Sequence, residues 1–175
     1  LLQEHEKAIA SWRQARDEAA KIDRTGTKSA VQLLVLESFA EAAASELARG
    51  KPDKAKLAVN GGKEVLARLE KRLEENETSS PAATLETQAA RIEEFRGNFK
   101  EAAKAHTEAS RKFRLARTDV GQKNAAASLT MAGQALDQSG DPTGAIDRFE
   151  GAIKLWERLL ETAPDVPDYL EGLAT

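Results

Sequence analysis

Cysteine is absent from this chain of 175 residues, and aromatic residues account for only 5% of it. Without cysteine the protein can form neither disulfides nor thiolate metal sites, and it has no thiol nucleophile. With so few aromatic residues, a hydrophobic core has to be built from alanine, leucine, isoleucine and valine. Because alanine is the best helix former and β-branched runs are few, the composition favours α-helix.

The chain also lacks a strong charge of either sign. Lysine and arginine number 26 against 29 aspartates and glutamates, a net charge of −3, which gives no indication of nucleic acid or an anionic membrane as a partner. No apolar run approaches the length of a membrane-spanning helix, so we expect no direct insertion into a membrane. Because the chain starts at Leu1 rather than methionine, we expect it to be an excerpt of a larger protein. Separately, we expect a cytoplasmic location.

The clearest pattern that is present covers residues 124–164, which predict two helices joined by a tight turn at Gly140. Apolar residues recur in the second helix at helical spacing. They are Ala145, Ile146, Phe149, Ala152, Ile153, Trp156, Leu159 and Leu160. Gly133, Ala145 and Ala152 are small, as a close crossing of two helix backbones requires.

The same register recurs along the whole chain. An alanine opens each second helix, at Ala8, Ala55, Ala102 and Ala145. Another small residue follows each time, at Ala15, Gly62, Ala109 and Ala152, and a turn glycine precedes the last three alanines, at Gly50, Gly97 and Gly140. Self-similarity of this kind indicates a solenoid of repeated helix pairs.

This register resembles the tetratricopeptide repeat (TPR), in which small residues recur at one position of the first helix and two of the second. The family repeat has about 34 residues, whereas the spacings here are 47, 47 and 43, which resembles the lengthened repeats of kinesin light chains and bacterial signalling arrays. The ending LWERLLETAPDVPDYLEGLA resembles repeats found beside bacterial serine/threonine kinases. The resemblance implies an all-α, right-handed α-solenoid of antiparallel helix pairs with about seven helices.

The register also predicts how the single domain, residues 1–175, is organised. We expect the second helix of a truncated repeat at residues 1–24 and the start of a further helix at residues 168–175. The complete repeats are predicted at residues 28–76, 82–117 and 122–163. Residues 78–81 (TSSP) are predicted to be a linker, and residues 118–123 to separate the last two repeats.

No residue set predicts catalysis, a cofactor or a metal site. His5 has no second histidine at the spacing of a zinc motif, and the serines at residues 79–80 have no nearby histidine to activate them. Gly61 and Gly62 lack the spacing of a phosphate-binding loop, and we expect them to let helices approach closely. We therefore expect a protein that is not an enzyme.

Three further residues are predicted to be packed between helices. His106 stands at the register position that Val59 and Phe149 take in the neighbouring repeats, so we expect it to be buried with one hydrogen-bonded nitrogen rather than to act as a ligand or base. Trp12 and Trp156 lie on apolar stripes and are predicted to be in the core.

The hairpin around residues 51–72 is locally basic, but its lysines are interleaved with glutamates. We interpret it as a solvated face, the alternative being a patch that binds phosphate or an acidic partner.

In the family that the chain resembles, the first helices line a concave groove that binds a peptide or a partner helix. When the groove-lining positions of that family are assigned to this chain by the repeat register, those of the first complete pair are Glu37, Ala40, Glu41 and Ala44. The candidate groove residues of the next two pairs are Thr84, Thr87, Gln88, Arg91, Glu94, Thr130, Met131, Gln134 and Gln138.

Arg91 is the strongest single candidate in this groove because its guanidinium is a planar cation with several donors. Met131 could supply an adaptable apolar contact. The alternative for Arg91 is a local pair with Glu94, three residues on, and the alternative for the whole set is a row of ordinary solvated residues. Of the Lys, Asn and Arg set that holds a terminal carboxylate in chaperone-binding relatives, only Arg91 is present, so we expect no such clamp.

The resemblance thus predicts a scaffolding module for protein–protein interaction, within a larger bacterial protein. A second hypothesis is a self-association domain of a bacterial signalling protein, for instance one attached to a serine/threonine kinase, whose exposed solenoid ends form a homo-oligomer.

Overall fold

The structure is a computed structural model that describes residues 29–71 and 73–174, with side chains from residue 33 onward. This part of the chain holds seven α-helices and no strand. The helices are α1 (Ser29–Ala48), α2 (Pro52–Leu69), α3 (Glu75–Phe95), α4 (Phe99–Leu115), α5 (Asp119–Gln138), α6 (Pro142–Thr162) and α7 (Pro167–Ala174). The predictions for residues 1–24, which include His5 and Trp12, lie outside the described residues.

The helices stack in pairs. α1 packs on α2, α3 on α4, and α5 on α6, and each helix also packs on the next one along the chain. The first helices of successive pairs meet as well, α1 with α3, α3 with α5 and α5 with α7, whereas the second helices of the described chain approach one another less. The all-α, solenoid-like arrangement is thereby confirmed, and α1, α3 and α5 share one side of it. Its right-handed sense stays a prediction.

The three predicted turn glycines all have a left-handed backbone, with φ of 69° at Gly50, 76° at Gly97 and 81° at Gly140. Each glycine amide donates to the carbonyl three residues back at 2.9 Å, and the next amide donates to the carbonyl five residues back at 2.8 to 3.0 Å. This pair of bonds is the Schellman motif, which satisfies the last carbonyls of a helix and favours glycine because a Cβ is strained at positive φ. The same turn therefore closes all three helix pairs.

Small residues lie where the register places them. Ala55 and Ala102 are 0% exposed and Ala145 is 2% exposed. A Cβ added to Gly62 would lie 2.7 Å from Leu85 Cδ2, closer than two carbons can approach. The predicted reason for the glycine, close packing of helices, is therefore confirmed in α2.

The predicted linker at residues 78–81 is wrong. These residues lie inside α3, which begins at Glu75, while α2 ends at Leu69 rather than near residue 76. Glu74 and Glu77 form a reciprocal capping box that starts α3 early. The hydroxyls of Thr78 and Ser79 donate to carbonyls three residues back, so that both residues can be buried inside the helix.

The predicted separator at residues 118–123 is also wrong, because these residues form the start of α5. Thr118 caps that helix, and its Oγ1 accepts a hydrogen bond from the Gly121 amide at 3.0 Å. The further helix expected at residues 168–175 is present as α7. Its Tyr169 packs on Trp156, with the ring centroids 6.2 Å apart, and Trp156 is buried as predicted.

Two residues of the predicted apolar stripe on α6 are not in the core. Ile146 is 57% exposed and Ile153 is 41% exposed, whereas Leu155 is buried. The buried side of α6 is centred on Ala145, Ala152 and Leu155 because α5 covers one side of the helix and α7 is only eight residues long.

Candidate partner groove

The three first helices line an open cavity of about 580 Å³ on their shared side. Ala44, Leu47 and Ala48 line it from α1, and the start of α4 adds Phe99. The remaining lining residues are Arg91, Glu94, Phe95, Gln134, Ala135 and Gln138. The structure thus brings together Arg91, Glu94, Gln134 and Gln138 of the predicted groove, from two helices that are separate in sequence. We call this cavity the α1–α3–α5 groove.

Arg91 is the cation of this groove. It is exposed, and its side chain forms no hydrogen bond or ion pair with any described residue. The alternative of a local pair between Arg91 and Glu94 is therefore wrong. An arginine that is not committed within the protein keeps its planar set of donors for a carboxylate or carbonyl group of a ligand.

Glu94 is instead held by the neighbouring helix. Its Oε1 lies 3.0 Å from Nε2 of His106 in α4, and the His106 side chain is 0% exposed. The prediction of a buried histidine with one hydrogen-bonded nitrogen is confirmed, since Nδ1 has no partner among the described residues. One wall of the groove is thus fixed to the core of the helix pair.

Phe95 and Phe99 were not predicted to line the groove. Phe95 is 56% exposed, while Leu85 and Ile92 fill the core positions of α3. The signal in the sequence is the pair of phenylalanines on either side of Gly97. They give the groove an apolar surface beside the Arg91 guanidinium.

The remaining predicted residues of α3 and α5 do not line this cavity. The hydroxyls of Thr84, Thr87 and Thr130 donate to carbonyls four residues back at 3.0, 3.1 and 3.4 Å, so they are used within their own helices. Gln88 is half-buried, and its Oε1 has no partner among the described residues. Met131 is 40% exposed but lies outside the lining.

The α1 residues that were predicted to line the groove lie in different environments. Ala44 lines the groove, and Glu37 and Glu41 are exposed. Ala40 is only 4% exposed and belongs to the core beside Phe39 and Leu85. Its assignment to the groove is wrong because α1 packs on both α2 and α3, so its buried face is wider than that of a helix with one neighbour.

Over the described range, no three histidine, aspartate or glutamate side chains are grouped so that they could hold a metal ion. None of the described helices is long and apolar enough to cross a membrane.

No protein-family model matches the sequence, and a search of curated proteins finds no match. By its fold and its groove, the protein is an all-α stack of helical hairpins with a cavity on the side of its first helices.

Proposed function

We propose that this protein is a non-enzymatic module for protein–protein interaction, TPR-like in character, that binds a peptide or a partner helix in the α1–α3–α5 groove. We further propose that it acts as a scaffold within a larger bacterial protein in the cytoplasm. The observation that carries the proposal is the uncommitted Arg91 beside the exposed Phe95 in a cavity formed by three helices.

The chemistry of the groove favours a particular kind of ligand. Arginine and aromatic residues contribute most often to the energetic centre of an interface. Arg91 can bind a carboxylate or a main-chain carbonyl, Phe95 and Phe99 can cover an apolar side chain, and Gln134 and Gln138 can donate to or accept from a peptide backbone. We therefore expect a ligand with an apolar residue next to an acidic one.

The experiment begins with peptides selected from a displayed library against the whole chain. Arg91→Ala and Phe95→Ala should each weaken the selected peptides by about tenfold, the loss expected of a central interface residue, while Met131→Ala should weaken them less because Met131 lies outside the cavity lining. Thermal midpoints should stay almost unchanged, since both Arg91 and Phe95 are exposed.

Lys71→Ala provides the control, because Lys71 is exposed and lies between α2 and α3, away from the groove. Undiminished binding in the Arg91 and Phe95 variants, with loss on changing Lys63 or Lys71, would move the site to the surface of the second helices and contradict the proposal. Lys63 is the weaker candidate there because Glu86 already binds its Nζ at 2.9 Å.

A second candidate function is self-association, and the exposed leucines of α7 favour it. Leu170 is 57% exposed and Leu173 is 39% exposed, so one face of α7 offers apolar surface to another copy. Sedimentation velocity at several concentrations tests this: a mass that rises with concentration, and that Leu170→Ser abolishes, would establish a homo-oligomer. A monomer at every concentration would exclude this function under those conditions.

A further inference from the structure

A second basic surface lies between the second helices α4 and α6. Two cavities open between them, one of about 430 Å³ near their amino ends and one of about 550 Å³ near their carboxyl ends. The two cavities adjoin on α4, where Glu108 lines the first and Arg111 the second. We call them together the α4–α6 cleft.

The lining of the α4–α6 cleft is rich in cations. Its six basic residues are Lys100, Lys104, Arg111, Arg114, Arg148 and Arg158. Three acidic residues also line it, Glu108, Asp119 and Asp141. The lining of the cleft therefore has a net positive charge, whereas the whole chain has a net charge of −3.

Most of the acidic groups in the cleft are already used within the protein. Arg111 donates two hydrogen bonds to Glu108, at 2.9 and 2.8 Å, and this pairing holds the pKa of Glu108 below its usual value. Asp141 accepts the amide of Gly144 at 3.0 Å as a helix cap. These carboxylates are therefore not available to neutralise the remaining cations.

Four of the cations, by contrast, have unused donors. Lys100, Arg114 and Arg158 are exposed, and their side chains form no hydrogen bond or ion pair with any described residue. The Nε of Arg148 is buried and has no partner among those residues. A buried donor without an acceptor is unfavourable in the protein alone.

From these charges we infer that the α4–α6 cleft binds an acidic segment of a partner protein. The distance along α4 from Lys100 to Arg114 is about 21 Å, at 1.5 Å per helical residue. A segment several residues long can therefore meet all four cations at once. Leu136, Leu155 and Leu159 line the same cleft, which provides an apolar floor for leucine side chains placed between the carboxylates. This surface goes beyond the proposed function because it is separate from the α1–α3–α5 groove.

The test uses a short fluorescent peptide of glutamates with leucines interspersed, titrated with the whole chain in fluorescence anisotropy. Arg114→Glu combined with Arg158→Glu should weaken binding by at least about tenfold, because like charges then face each other across the interface. Added salt should weaken binding to the unmodified protein. The milder pair Arg114→Gln with Arg158→Gln should give a smaller loss in the same direction, which guards against misfolding of the reversed-charge protein.

The matched control is Lys54→Glu combined with Lys56→Glu, which changes the net charge equally on the exposed face of α2. It should alter the affinity by no more than about twofold, as expected of charges far from the interface. Loss of peptide binding in Arg91→Ala, with the Arg114 and Arg158 variants unaffected, would place the peptide in the α1–α3–α5 groove and overturn the inference. The inference is overturned if the peptide fails to bind at low salt, or if both double substitutions weaken it equally. Tighter binding of a single-stranded oligonucleotide through Arg114 and Arg158 would likewise overturn it, in favour of a nucleic-acid site.

Discussion

His106 Nε2 lies 3.0 Å from Glu94 Oε1, and this contact links a fully buried ring of α4 to a carboxylate in the wall of the α1–α3–α5 groove. The histidine takes the register position at which the other described repeats have Val59 and Phe149. A polar ring can replace an apolar side chain there because the neighbouring helix supplies an acceptor for its nitrogen.

Removing that acceptor should destabilise the protein. Glu94→Leu leaves the buried Nε2 of His106 without a partner, and we expect the free energy of unfolding to fall by about 1–3 kcal/mol. Glu94→Gln retains a carbonyl oxygen at the same place and should lose less than half as much. Urea denaturation of both variants measures the difference, and equal losses would show that the hydrogen bond contributes nothing.

The helix crossing at Ala145 should not tolerate a larger side chain. Ala145 is 2% exposed, and Ala145→Leu should destabilise the protein by about 1–3 kcal/mol through overpacking. Lys154→Leu changes an exposed residue of the same helix and should be nearly neutral. Thermal or urea unfolding compares the two, and similar losses would mean that the register does not describe the packing.

Replacing two glycines of the second helices by alanine should change the stability of the protein in opposite directions. In Gly62→Ala the new Cβ meets Leu85 Cδ2 at 2.7 Å, and Leu85 is 0% exposed, so it has no space into which to move. We expect a net loss of about 1–2 kcal/mol even after the gain in helix propensity.

In Gly151→Ala the Cβ meets only Leu129 Cδ1, at 3.2 Å, which is the far end of a half-buried side chain. Here the gain in propensity should prevail, and stability should rise by up to about 1 kcal/mol. Differential scanning calorimetry of both variants tests the sign, and a loss at Gly151 as large as that at Gly62 would contradict the prediction.

Arg117 has a left-handed backbone, with φ of 53°, which is rare for a residue with a Cβ. Arg117→Gly should therefore raise the free energy of unfolding by about 1 kcal/mol. Gly97→Ala introduces a Cβ at φ of 76° and should lower it by a similar amount, although no atom lies within 4 Å of the new carbon. Chemical denaturation provides both values, and unchanged stability at both positions would show that the strain is relieved by the turns.

The sequence predicted the features that depend on the residue at one position or on its near neighbours in the chain. Gly50, Gly97 and Gly140 are recognisable because a helix that ends in a left-handed residue favours glycine wherever it lies. Ala55, Ala102 and Ala145 are recognisable because a repeated helix crossing needs a small residue at the same register position each time. These two regularities were enough to predict an all-α stack of helix pairs.

Local signals also misled the prediction where two of them competed. Pro81 and the hydroxyl residues before it are typical of a linker, yet the capping box of Glu74 and Glu77 starts a helix ahead of them. The serine and threonine hydroxyls then satisfy carbonyls inside α3, so a polar stretch can be buried. Periodicity alone does not decide which of the two signals prevails.

The pairing of charges was decided by tertiary structure. Arg91 and Glu94 are three residues apart and suitable partners on one helix, but Glu94 is bound by His106 from α4, and Arg91 remains uncommitted in the groove. The α4–α6 cleft likewise joins Arg114 and Arg158, which no sequence spacing relates. Helix formation and turns depend on neighbours within a few residues, whereas the partner of a charged side chain depends on which helices the fold places beside it.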